Sequence, residues 1–261
     1  MSEYEKLTHQ PLVVALAEFR FSVVLQIEQY VPQLQEYLRQ DFPNFSTSET
    51  QEMLVEQNGV QINKSTRWLF VSSNKKKALI LDRNRIVFIT SEYDRFPDFW
   101  KTCKNSLLFI KEKIKPALLE RIGLRYSDLI IAKQDNEDIT AYVSPSICDK
   151  DSSLSVGHLA HRMNETVLST DAGIMAIRSL YGHLNLSAWP DLMDSPVVIP
   201  KYDDVSERIL LDCDHSWQMD TDEESIDFDV SFIESKITQL HEHSRKAFWE
   251  LTTSQGREVW K

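Results

Sequence analysis

The stretch LLDCDHSW, residues 210–217, brings two carboxylates and an imidazole within four positions. In an extended chain alternate side chains share a face, so Asp212 and Asp214 stand side by side and His215 points away from them. Paired carboxylate oxygens suit Mg²⁺ or Mn²⁺, the ions of metal-assisted phosphodiester cleavage, which makes Asp212 and Asp214 the candidate metal ligands. The competing reading is an acidic strand end, because Asp220, Asp222, Glu223 and Glu224 follow directly and carboxylates are rarely buried without a partner. No lysine in a P-D…E-x-K arrangement accompanies the pair, so a restriction-nuclease core is not indicated.

A second constellation is repeated. FRFS at residues 19–22 returns as LRYS at 124–127. Period-two alternation sets Phe19 and Phe21 on one face and Glu18, Arg20 and Ser22 on the other, and likewise opposes Leu124 and Tyr126 to Arg121, Gly123 and Arg125. Arg20 and Arg125, with Glu18 and Arg121 beside them, form a candidate site for an anion or a carboxylate-bearing partner, since planar guanidinium groups bind such groups in bidentate fashion. The alternative is structural: each arginine pairs with a carboxylate such as Glu18 or Glu120 across the sheet. Both readings stay open on the residues alone.

Other chemistry is poorly served. No G-x-x-x-x-G-K or G-x-G-x-x-G loop occurs among the six glycines, which argues against phosphate cradles of the P-loop or Rossmann kind. No G-x-S-x-G elbow is present. His241 and His243 are two apart on a helical pattern and diverge by about 200°, while His158 and His161 could share a metal only on a helix. Cys103, Cys148 and Cys213 lie far apart without a C-x-x-C pair, indicating neither a zinc ribbon nor a disulfide framework. No catalytic residue and no cofactor is therefore assigned, apart from Mg²⁺ or Mn²⁺ under the nuclease alternative.

The elements that position these residues follow from hydrophobic period. Residues 11–23 read as a strand and Glu28 to Asp41 as a helix. Residues 47–89 read as a four-stranded meander with a turn at Asn58-Gly59. A long amphipathic helix is expected from Pro97 to about Leu119, with its lysines mostly solvated. The second part opens with a strand at 120–132 and a short helix or irregular stretch near 139–149. Extended segments follow at 154–169 and 173–185, split by Asp171-Ala172-Gly173. A proline-rich loop at 186–206 is long enough to be functional or mobile. A strand over RILLDCDHSW and a helix from about Asp229 to Leu251 complete the chain.

The fold class expected is α+β: a tandem pseudo-repeat of β-α-β(3-4)-α halves, residues 1–119 and 120–261, tightly joined. Each half would be an antiparallel sheet packed on a long helix, a helix-grip architecture like the lobes of the TATA-box-binding protein. At 261 residues and 42% hydrophobic content the chain can bury a core without disulfide or metal. A net charge of −11 opposes direct nucleic-acid binding. The absence of a long apolar run and of a signal-like N-terminus points to a cytoplasmic protein without membrane attachment.

PLVVALAEFRF near the start, ERIGLRY in the middle, LLDCD and the closing LHEHSRKAFWELTT together resemble a sporadically distributed, uncharacterised bacterial protein family. The resemblance covers nearly the whole chain and implies a bacterial, cytoplasmic, single-chain protein of patchy occurrence, suited to mobile elements, toxin–antitoxin pairs or antiphage defence loci. It supplies no site residues. The leading expectation is a non-enzymatic binding or regulatory protein, an antitoxin-like or accessory subunit whose acidic surface meets a basic protein encoded nearby, with homo-oligomerisation an open alternative. The competing expectations are a metal-dependent phosphodiesterase or nuclease using Asp212 and Asp214, and a small-ligand sensor with its pocket between helix and sheet or where the halves join.

Overall fold

The computed structural model describes residues 4–56, 59–133, 137–148, 156–220 and 225–261, with backbone alone at 50–56 and 59–64. The fold is α+β. Nine antiparallel strands form one sheet: β1 (Leu12–Phe21), β2 (Asn44–Glu56), β3 (Gly59–Val71), β4 (Lys77–Asp82), β5 (Arg85–Thr90), β6 (Leu119–Ile131), β7 (His161–Ser169), β8 (Ile174–Leu184) and β9 (Ser206–Gln218). Their spatial order is 2-3-4-5-1-6-9-8-7, with β1 and β6 side by side in the middle. The helices are α1 (Val31–Leu38), α2 (Phe96–Phe109), α3 (Val230–Leu251) and α4 (Ser254–Val259).

Pleat alternation divides the sheet into two unlike faces. Phe19, Phe21, Phe70, Phe88, Ile122 and Leu124 point to the helix side, where Phe99, Trp100, Cys103 and Leu107 of α2 and Ile233, Ile237 and Leu240 of α3 complete one core. Burying each large side chain contributes roughly 1.5–3 kcal/mol. A second cluster on the same side joins Ile130, Ile177, Ile209 and Leu211 to Tyr142, Ala247 and Trp260. The opposite face is apolar over one corner, where Val14, Ala78, Ile89, Leu129 and Leu210 lie under Trp189, Leu192, Val197 and Ile199 of the proline-rich loop. Elsewhere it is charged.

Local chemistry sets the ends of the helices. Asp229 caps α3, its carboxylate accepting from the backbone N–H groups of Ser231 and Phe232 at 2.9 and 3.0 Å. The helix expected over 28–41 is divided into a 3-10 turn at Ile27–Tyr30 and the shorter α1. The helix expected to reach Leu119 stops sooner: α2 widens into a π turn at Ile110–Ile114, and Lys115 adopts φ 53°, ψ 54°. Pro116 explains this, because a proline disfavours the right-handed helical region for the residue before it. β7 opens at His161, later than the expected 154, and α4, capped by Thr253, is an addition to the elements read from sequence. Of the expected turns, Asn58 and residues 134–136 lie outside the described residues, as does 221–224 of the acidic run.

The loop at 186–206 is clamped at both ends. Arg208 is fully buried on β9 and donates to the carbonyl oxygens of Leu186, Tyr202 and Asp204, while Asp191, in the 3-10 turn Pro190–Leu192, accepts two hydrogen bonds from Arg125. A long loop tied to buried guanidinium groups behaves as part of the sheet's cover.

Candidate functional site

Glu18, Arg20, Arg121, Arg125, Asp212 and Asp214 lie on the sheet face away from the helices, and ion pairs join them. Glu18 accepts from Arg20 Nε at 2.8 Å, Arg121 Nη1 at 2.5 Å and Arg85 Nη1 at 3.1 Å. Gly123, paired with Glu18 in register, makes room for this: a Cβ there would come within 2.8 Å of Arg121 Nη1, so the guanidinium lies where a side chain would otherwise stand. Burial pushes the Glu18 carboxyl up, but Arg20, Arg121 and Arg85 outweigh it and hold the group below the usual glutamate range.

Arg125 has a different set of partners. Its Nε donates to Asp212 at 2.7 Å and its two terminal nitrogens to Asp191 at 2.7 and 2.9 Å. Asp212 is fully buried and takes Arg178 on its other oxygen at 2.6 and 3.1 Å. Burial disfavours the Arg125 charge, yet its hydrogen bonds to Asp191 and the pull of Asp212 more than offset this and raise its pKa. Asp214 is one-third exposed and stands 4.0 Å from both Arg121 and Arg178. Both oxygens of Asp212 are thus engaged by guanidinium groups, and among the described residues no group of three or more His, Cys, Asp or Glu is arranged to hold a metal. His215 faces the helices, between the Leu240 carbonyl at 3.2 Å and the Thr170 hydroxyl at 3.0 Å.

The helix side holds a buried carboxyl that no described side chain pairs with. A cavity of about 370 Å³ opens between α3, β6, β9 and the chain segments before β1 and before α2, lined by Leu7, Tyr93, Phe96, Tyr126, Phe248 and Trp249 among others. Asp128, 4% exposed, is one of its walls, and its carboxyl has no hydrogen bond or ion pair with the described residues. Burial, with the Asp212 carboxylate adding to it, pushes the Asp128 carboxyl up to about 8. Burial thus favours the protonated form at neutral pH.

Its neighbours are also held neutral. The Tyr126 hydroxyl meets His241 Nδ1 at 2.9 Å, and the His241 ring stacks on Phe96 with centroids 4.1 Å apart. Burial, reinforced by the Arg245 charge, lowers His241 to about 3. Burial raises the Cys213 thiol to about 12 despite its hydrogen bond to Ser244, so no thiolate nucleophile stands here.

Asp128 was open to detection in the sequence. On β6 the helix-side positions run Ile122, Leu124, Tyr126, Asp128, Ile130, so a carboxylate occupies one place in an otherwise apolar row. Tyr93, Phe96 and His241 carry no comparable signal, because they reach the cavity from separate segments.

No protein-family model, curated protein or solved structure matches the chain.

The two repeated arginines are expected to contribute unequally. Arg125→Met should cost about 3 kcal/mol, because it leaves Asp212 buried with one partner fewer, whereas Arg20→Met, whose side chain is 41% exposed, should cost under about 1 kcal/mol. Urea denaturation of the two variants measures this, and equal losses would contradict the difference in burial.

A pH dependence follows from the cavity. Asp128 has a folded pKa raised far above the ordinary aspartate value of 3.8, so the native state holds the extra proton and stability falls as pH rises toward about 8. The lowered His241 works oppositely, but only below the ordinary histidine value of 6.5. Between pH 6.5 and 8 the protein should therefore lose roughly 1–2 kcal/mol, and Asp128→Asn should abolish that decline in thermal melts. A variant with the same slope as the parent would sink the assignment.

Proposed function

We propose that this chain is a small-ligand-binding regulatory protein whose ligand enters the cavity between α3 and the sheet. One observation carries the reading: a buried carboxyl with no partner among the described residues in the wall of a mostly apolar cavity. Buried polar groups in native proteins are nearly always hydrogen-bonded, and a site of this volume, mostly apolar with few polar groups, is the usual form of a small-molecule pocket. The open face gives less support to a binding site, because Glu18 and Asp212 already neutralise the arginines that an anion would need.

The tandem-repeat reading also draws support from the register. Glu18 pairs with Gly123, and Arg20 and Arg125 each follow that pair by two residues on antiparallel strands. A twofold axis through the Glu18–Gly123 pair would exchange FRF with LRY and relate the strand set 2-3-4-5-1 to the set 6-9-8-7. On this reading the cavity lies where the halves meet, between the closing helix of the second and the segments 4–12 and 93–97 of the first.

Calorimetric titration with indole, a neutral aromatic of suitable size, tests the proposal. The parent protein should bind it at a single site and Ser244→Phe, which fills the cavity from α3, should not, while still folding cooperatively and melting roughly 2–10 °C below the parent. Absence of binding to the parent, or undiminished binding to the filled variant, would overturn the reading.

A further inference from the structure

The cavity's polar groups narrow the ligand class, an inference that rests on the small-ligand reading above. Asp128 is surrounded by neutral groups. Tyr126 of its own strand, Cys213 of β9 and His241 and Ser244 of α3 all line the same space. The positive groups at the rim act elsewhere. Lys6 is paired with Asp94; Arg245, which lines the cavity, lies over the Tyr4 ring at 4.8 Å, and its charge acts on Tyr93 and His241, that of Arg95 on Tyr93, while neither acts on Asp128. Glu5, the remaining acid at the rim, pairs with Lys261 at 3.0 Å. The one charged group influencing Asp128 is another carboxylate, Asp212, from across the sheet.

No described side chain pairs with Asp128, so a cation entering the cavity would meet an unneutralised carboxyl. The walls suit such a charge, since the faces of aromatic rings attract cations, and Tyr93, Phe96, Tyr126, Phe248 and Trp249 supply them.

We infer that the cavity takes a small organic cation, an ammonium group on an aromatic or aliphatic body, with the ammonium against the Asp128 carboxylate and the body among the aromatic side chains. Binding below about pH 8 then displaces a proton: the neutral acid and the ammonium ion give a carboxylate–ammonium pair, and the acid's proton passes to solvent. Affinity rises with pH accordingly. A neutral or anionic ligand would instead bind the protonated acid and weaken as pH rises.

Three probes with one indole body distinguish the cases: tryptamine as the cation, tryptophol as its neutral counterpart and indole-3-acetate as the anion, titrated calorimetrically at pH 6.5 and 8. The cation should bind roughly 10- to 100-fold more tightly than tryptophol, as a charge-assisted bond in a dry site supplies. It should tighten at the higher pH and release protons at the lower one. Asp128→Asn should remove the preference while still binding tryptophol. If tryptophol or indole-3-acetate binds as well as tryptamine, the cavity binds ligands but the cation inference is overturned. If none of the three binds the parent protein, the small-ligand reading falls with it.

Discussion

The antiparallel pairing of β1 with β6 is the contact on which the remaining structure depends. It joins the strands 2-3-4-5 on one side to 9-8-7 on the other, and its register decides which side chains meet. Because alternation has a period of two, a slip by one residue would turn Phe19, Phe21, Ile122 and Leu124 out of the core and bring Glu18, Arg20, Arg121 and Arg125 into it. The aromatic core on one face and the guanidinium–carboxylate network on the other therefore specify the same register. The charged network adds specificity as much as stability, since pairs of this burial lose in desolvation much of what they gain in attraction.

That network has a further consequence for the loop above it. Arg125 binds Asp212 of β9 and Asp191 of the loop together, and Arg178 packs over Trp189 at 5.3 Å. A segment whose length and prolines suggest mobility is thereby fixed over an apolar corner of the sheet, and the face not covered by helices is closed partly by loop and partly by ion pairs. The helix side is where packing is incomplete. There the sheet, α3 and two chain segments leave a cavity, and the buried carboxyl in its wall has no partner among the described residues.

Much of the fold was legible because long apolar periods are local signals. Every strand and the three longer helices were anticipated, as were the opposite faces of Phe19 and Arg20. The miss at α2 came from Pro116, whose effect on the preceding residue outweighs a continuing apolar stripe, and the miss at α4 from its shortness. The paired arginines were legible as neighbours on a face; their partners Arg85, Arg178 and Asp191 were not, because register and loop placement are tertiary facts. Asp212 and Asp214 did share a face, but the spacing that suggests a metal pair is silent about the guanidinium groups that meet Asp212. Asp128 left its signal in the alternation of β6, and the cavity around it arises only when four distant segments pack.

The central claim is that Asp128 is a neutral acid, without a partner among the described residues, in the wall of the cavity. Carbon-13 NMR titration of the Asp128 carboxyl in the ligand-free protein tests it most directly. The account requires a single titration with a midpoint near pH 8. A midpoint in the ordinary aspartate range, near 4, would mean that the carboxyl is solvated or paired in solution, and would contradict the claim.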